Sequence, residues 1–257
     1  MSILETASAV LQLMAARQAP LTVSELVEAL QMPKSTASRV LRQMGEQRLL
    51  TRDAVTLAYR PAPLLLELAH LVRSSTPLID MCARALDALG EESGHTGYVS
   101  VLEGNDVMTL RVRPGSQPLR ARTNPGHRSP SWATSTGRAL LARESGAAIA
   151  VRFAAGLSSP LAHRPPGGPA TLDELHAALD AVRRERFAIA ENEAFAGICS
   201  IGSAVADPAS GECLAFCLTF PSGMLSHDAK EALATRVRAQ AERIGRAVGD
   251  PFWTAGR

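Results

Sequence analysis

The chain has 257 residues, 46% of them hydrophobic and 20% charged, with a formal net charge of +2. That length is comfortable for two domains and that composition fits globular cores; no run of about 18 apolar residues offers a membrane span. With the overall charge so near balance, basic character has to be concentrated locally. Residues Met1 to Gln18 are interrupted by Glu5, Gln12 and Arg17 and are followed by no cleavage site. They read as an amphipathic first helix, with Ile3, Ala7, Val10, Leu11 and Met14 inward, and not as a signal peptide. Without a targeting segment, the expected location is the cytoplasm, with reduced thiols.

The next stretch, LTVSELVEALQMPKSTASRVLRQMGEQRLLTRD, is the most informative. Thr22 and Glu25 form a T-x-x-E capping box, and Val23, Leu26, Val27 and Leu30 recur at helical spacing. Pro33 ends that helix and suits the first turn of the next. The second helix buries Ala37, Val40, Leu41 and Met44. Its opposite face carries Lys34, Ser35, Thr36, Ser38, Arg39, Arg42 and Gln43. Serine and threonine hydroxyls contact phosphates or base edges, and arginine can grip guanine with two hydrogen bonds. Lys34, Arg39, Arg42, Arg48 and Arg52 are opposed only by Glu46 until Asp53. Leu49–Asp53 and Val55–Arg60 then read as the two strands of a wing, joined by a turn that lacks an Asn-Gly or Asp-Gly signal. This order is that of a winged helix-turn-helix, which presents its second helix to the major groove.

Pro61-Ala62-Pro63 punctuates the wing. From Leu64 a helix follows whose Leu64, Leu65, Leu68, Leu71 and Val72 form a wide apolar face, suited to a partner subunit. Ser74-Ser75-Thr76-Pro77 breaks it, and Leu78, Met81, Cys82, Ala85, Leu86 and Leu89 mark another helix that closes near Gly94. Thr96–Leu102 and Val107–Val112 form a hairpin, and Leu119–Arg122 is a further strand candidate. A capped helix is expected over Thr134–Ala142, and Gly156–Ala170 reads as a surface loop. Thr171-x-x-Glu174 is a second capping box, opening a helix to about Arg186. Phe187–Ala190, Ile201–Ala206 and Cys213–Phe220 read as strands, and Ser226 caps a long last helix that ends near Gly249. Hairpins without regular βαβ alternation predict an α/β domain on an antiparallel sheet.

Cys82, Cys199, Cys213 and Cys217 make no C-x-x-C pair, and the six histidines are dispersed. No metal and no cofactor are expected. On a strand, Cys213 and Cys217 share one face. Arg111, Arg113, Arg120, Arg122 and Arg128 are candidate carboxylate clamps, or else surface residues at strand edges. The chain lacks a G-x-S-x-G elbow, a Walker A and a G-x-G-x-x-G motif, so it is not read as an enzyme.

The stretch from Leu21 to Asp53, followed by YRPAP, resembles the N-terminal domain of IclR-family transcriptional regulators. GHRSPSWATSTGRALLA from Gly126 and RRERFAIAENEAFAGICSIGSAVAD from Arg183 resemble that family's effector-domain signatures. The resemblance implies residues 1–61 as a winged helix-turn-helix, 62–76 as a linker helix and 77–257 as a GAF-like α/β effector and oligomerisation domain. The implied partners are double-stranded operator DNA, a second subunit (with a tetramer open) and a small organic acid. By position, Lys34, Ser35, Thr36, Ser38, Arg39, Arg42 and Arg52 would contact DNA. Ser129, Ser131, Trp132, Ala133, Ala190, Ser200, Cys217 and Thr219 would line the effector site. Ala190 stands where the family often has an acid, and Trp132 where it often has histidine. That pair implies a drier pocket for a larger, more aromatic acid, although Trp132 reads equally as core filler. A regulator whose C-terminal domain is purely structural is the alternative.

Overall fold

The computed structural model describes residues 2–17, 19–74, 77–116, 123–157 and 167–255. The chain divides into two compact units, 1–75 and 76–257.

The first unit contains helices α1 (Ile3–Arg17), α2 (Val23–Leu30) and α3 (Lys34–Glu46), strands β1 (Leu50–Arg52) and β2 (Tyr59–Pro61), and helix α4 (Pro63–Ser74). Its core joins Val10 and Met14 of α1, Leu26 of α2, Ala37, Val40, Leu41 and Met44 of α3, and Leu50 and Tyr59 of the wing. Burying Leu26 and Leu41 completely stabilises the unit by about 1.5–3 kcal/mol each. The inward stripe of α1 runs through Thr6, Val10 and Met14, leaving the predicted inward residue Ile3 53% exposed. Thr6 tolerates this burial because its hydroxyl donates to Ser2 O at 3.0 Å. Pro33 is the N-cap of α3, one position before the expected first turn.

The wing is narrower than its sequence implies. Val55–Leu57 lie in the turn and not in the second strand. Asp53 builds that turn: its Oδ1 accepts from Val55 N at 3.0 Å, Thr56 N at 2.8 Å and the Thr56 hydroxyl at 2.9 Å. Those bonds hold the Asp53 carboxyl below its ordinary pKa. An aspartate thus does what an Asn-Gly pair would do in a tighter hairpin. Within this unit α4 leaves Leu64, Leu66, Leu68 and Leu71 exposed.

The second unit opens with α5 (Pro77–Ser93) and the hairpin β3 (Thr96–Glu103) and β4 (Asp106–Arg113). Strand β5 (Arg128–Pro130) leads through a 3-10 turn (Ser131–Ala133) into α6 (Ser135–Leu141), followed by α7 (Gly146–Arg152) and α8 (Leu172–Glu185). Then come β6 (Ala188–Glu191), β7 (Ile198–Asp207), β8 (Glu212–Pro221), α9 (His227–Val248) and α10 (Pro251–Thr254). The strands form one sheet in the order β5-β4-β3-β8-β7-β6, antiparallel at every pairing. The sequence pattern misses β5, α7 and α10. The Leu119–Arg122 strand candidate and most of the Gly156–Ala170 loop lie outside the described residues.

Period-two alternation sorts the sheet into two faces. Leu214, Phe216, Leu218 and Phe220 of β8 pack with Val99, Ile201 and Val205 under α5 and α9. The intervening residues face the α6 side. There Gly202 lets α6 approach: an added Cβ would meet Cys217 Cβ at 2.9 Å and Ser135 Oγ at 3.1 Å. The second capping box is only half formed. Thr171 Oγ1 accepts from Glu174 N at 3.2 Å, but the Glu174 carboxylate reaches past the cap to Ala170 N at 2.7 Å.

Candidate DNA-reading face and ligand cavity

Local rules set the orientation of α3. The box on α2 is complete: Glu25 N donates to Thr22 Oγ1 at 3.3 Å, and Thr22 N donates to Glu25 Oε2 at 2.7 Å. The Thr22 backbone bond, then its hydroxyl, hold the Glu25 carboxyl below its usual range. Leu21 and Tyr59 exchange two backbone bonds of 2.8 Å, which tie the entry of α2 to the wing. With Ala37, Val40, Leu41 and Met44 inward, Lys34, Ser35, Ser38, Arg39 and Arg42 are exposed and Thr36 is half-buried. Arg52 is exposed on β1, its guanidinium 5.7 Å from the Tyr59 ring centre. The seven positions inferred for DNA contact therefore lie on one helix and its adjoining wing, and none is buried.

In the second unit a cavity of about 70 Å³ opens on the α6 side of the sheet. Ser129, Ala133, Ala190, Ser200, Cys217 and Thr219 line it. They arrive from β5, the 3-10 turn, β6, β7 and β8, brought together by antiparallel register: Ala190 pairs with Ser200, and Ser200 with Thr219. The other two predicted residues do not line it. The Ser131 hydroxyl is fully buried and donates to Asn105 O at 2.7 Å. Trp132 is buried edge-on to Phe153, 5.8 Å between ring centres, in the core formed with α7 and α8. A 3-10 turn has neither the helical nor the strand period, so adjacent residues diverge to different surroundings.

The cavity is also wetter than the loss of an acid at Ala190 implies. Tyr98, Ser100, Thr109, Ser135 and Thr136 add hydroxyls. Ser135 Oγ is buried with only the weakly bonding Cys217 thiol beside it. Glu193 brings a carboxylate that the sequence reading missed. It is neutralised by the buried Arg138 of α6, which binds both carboxylate oxygens, the second at 2.9 Å, and also donates to Ile189 O. A lone arginine in the apolar run STGRALLA is the signal that could have exposed this pair. The turn from Asn192 to Gly197 borders the cavity through Glu193, Ala194 and Phe195, with Phe195 41% exposed and its ring tilted against His127, 6.0 Å between centres. Asn192 fastens the turn: its Oδ1 accepts from Gly197 N at 2.8 Å and its Nδ2 donates to Ser222 Oγ at 3.0 Å.

The candidate clamps lie elsewhere. Arg111 pairs with Asp80 at 2.7 Å, Arg113 with Asp87 at 3.4 Å and Arg128 with Glu103 at 2.7 Å. Arg120 and Arg122 are outside the described residues. Burial pushes the Cys217 thiol up to about 11 and the Cys199 thiol to about 11, so both stay protonated at neutral pH. Among the described residues no group of acids, histidines and cysteines could hold a metal ion. Nor is any described helix long and apolar enough to cross a membrane.

A helix pair whose first member is capped and whose second presents an exposed polar and basic face, followed by a short wing, defines a winged helix-turn-helix protein, here carrying an antiparallel α/β unit. Comparison with known proteins supplies the family. Residues 4–54 match the IclR helix-turn-helix domain and residues 70–246 match the C-terminal domain of the bacterial transcriptional regulator IclR. The chain is 27% identical over 236 residues to the probable transcriptional regulator SauR of Cupriavidus necator, covering 91% of this chain and 92% of that protein. It is 26% identical over 208 residues to the Pca regulon regulatory protein of Pseudomonas putida, covering 80% and 69%. An IclR transcriptional regulator from Alicyclobacillus acidocaldarius shares the fold at a TM-score of 0.81, with 19% identity over 95% of this chain and 97% of that one. An IclR homologue from Microbacterium hydrocarbonoxydans, solved in complex with 4-hydroxybenzoate, aligns at 0.80 with 20% identity over 96% and 99%. The chain belongs to the IclR family: it is a DNA-binding transcriptional regulator, not an enzyme.

Proposed function

We propose that this regulator is ligand-responsive. Two subunits read a roughly palindromic operator through paired α3 helices, and a small organic acid in the cavity of the second unit changes that binding. Ser35, Thr36, Ser38 and Arg39 meet base edges and nearby phosphates, while Lys34, Arg42 and Arg52 meet the backbone. The cytoplasm is the compartment this role requires. The observation that carries the sensing role is Ser135: a hydroxyl 1% exposed on the wall of a hydroxyl-lined cavity, with nothing better than the Cys217 thiol for a protein partner. A buried hydroxyl left wholly unpaired would cost about 1–3 kcal/mol, and a ligand oxygen would offset whatever part of that the thiol leaves.

The described residues lining the cavity include no basic side chain, so hydroxyls from Tyr98, Thr109, Ser135, Ser200 and Thr219 would receive the carboxylate. The neighbour solved with 4-hydroxybenzoate supports an aromatic acid as the first class to try. With about 70 Å³ open, against about 150 Å³ for an apolar protein cavity that takes up benzene, a ring enters only if the wall yields. The turn bearing Phe195 is the wall that can yield. The ligand acts solely through its different affinity for the DNA-competent and incompetent states.

A thermal-shift screen of the purified protein against aromatic and aliphatic carboxylates tests this reading. A true effector at a hundred times its Kd should stabilise by about 2.7 kcal/mol, and Ser200→Ala should blunt the response while sparing DNA binding. A silent panel of both classes would favour a purely structural second unit. A normal response from Ser200→Ala would remove Ser200 from the site.

A further inference from the structure

Beside the base-reading face, a groove of about 570 Å³ runs between the C-terminal half of α3, the wing and the start of α4. Arg42, Arg48 and Arg52 line it from the helix, from its exit and from the wing, and Glu67 is the one acid among the described lining residues. Two of these arginines are steadied. Arg42 has Glu46 at 3.7 Å, and Arg52 lies over Tyr59. Arg48 is held by its backbone, in the left-handed region at φ 61. Leu49 N donates to Met44 O at 2.9 Å and Arg48 N to Gly45 O at 3.0 Å. These are the paired bonds of a Schellman helix ending, whose left-handed position usually holds glycine. An arginine there is kept against local backbone preference, and its side chain lines a cationic groove.

We propose that Arg48, together with Arg42 and Arg52, grips the phosphodiester backbone of one DNA strand in this groove. The inference rests on the DNA-binding role of the first unit and assigns the groove a sequence-independent share of it. Guanidinium forks match phosphate oxygens in pairs. The groove lies at the C-terminal turns of α3, where Arg42 and Gly45 continue the stripe of Ser35 and Ser38 about two turns further along the helix, beyond the Ser35–Arg39 turns that would face base edges. Its grip fixes the helix on the duplex without choosing a sequence.

Arg48→Gly separates the role from the fold, because glycine suits the left-handed position and should leave the melting temperature level or higher. The readout is affinity for a random-sequence duplex between about 50 and 200 mM salt, where each lost phosphate contact lowers the slope of log K against log salt by about 0.9. Arg48→Gly should bind several-fold more weakly with that shallower slope, and Arg48→Lys should keep the wild-type slope. An unchanged slope in Arg48→Gly overturns the proposal. Should that variant melt early, Arg48→Gln against Arg48→Lys decides instead, and equal slopes overturn it. Failure of the wild-type protein to bind any duplex would sink the DNA-binding reading itself, a different result from normal binding by Arg48→Gly.

Discussion

The exposed face of α3 and the cavity beside α6 are built by opposite means. The first is contiguous: its side chains follow one another along a thirteen-residue helix, displayed to water, and little of the unit's stability depends on them. The second is assembled from residues as far apart as Tyr98 and Thr219, walled by buried hydroxyls and a buried ion pair, so its shape and the unit's stability are coupled. A solvated face can change its partner by substitution at small cost to folding. A cavity cannot, because each polar atom in its wall must be satisfied by the protein or by a ligand.

The sharpest way to break this contrast is Arg138→Met. It strands the Glu193 carboxylate in a wall where the pair's side chains are 7% and 16% exposed. Losing one partner of such a pair costs about 3–5 kcal/mol, and denaturant unfolding should register that loss in the second unit alone. A loss below about 1 kcal/mol, the level of a surface pair, would mean that water already serves Glu193.

Arg39→Ala makes the opposite demand. It should leave unfolding unchanged yet weaken binding to a duplex selected by this protein from a random library by about 1–3 kcal/mol. Unaltered affinity and salt slope would take Arg39 out of the interface.

The smallest effect is a pH dependence in the second unit. Burial, with a further push from Arg236, holds His95 below its ordinary pKa, and its Nδ1 lacks a partner beside Phe220, 4.8 Å away between ring centres. The unfolded chain takes up the proton first as pH falls below about 6.5. Stability present above that pH is therefore lost on the way down to the folded pKa. His95→Phe should flatten that part of the stability profile, and an unchanged profile would assign it to other groups.

The same contrast explains what could be read from the residues. The helix pair was legible because caps and the 3.6-residue period act within a few positions, as Thr22, Glu25 and the four inward residues of α3 show. Part of the cavity was legible through the family resemblance, which placed Ser200, Cys217 and Thr219 by position, and the regular strands hold these residues in register. Trp132 was not, because a 3-10 turn imposes no parity. Arg138 was not, because a charged helix residue reads as surface until its partner, 55 positions along the chain, is known. The tip of the wing went astray for a local reason: Asp53 and a left-handed Leu57 close the turn sooner than the β-branched run Val55-Thr56 implies.

The most direct test of the whole account is the Kd for the selected duplex, measured at fixed salt with and without the carboxylate that raises the melting temperature. The account predicts a Kd that moves with ligand in the wild-type protein and stays still in Ser200→Ala. A Kd indifferent to a ligand that demonstrably binds would contradict it, leaving a DNA-binding protein whose cavity has no say in where it sits.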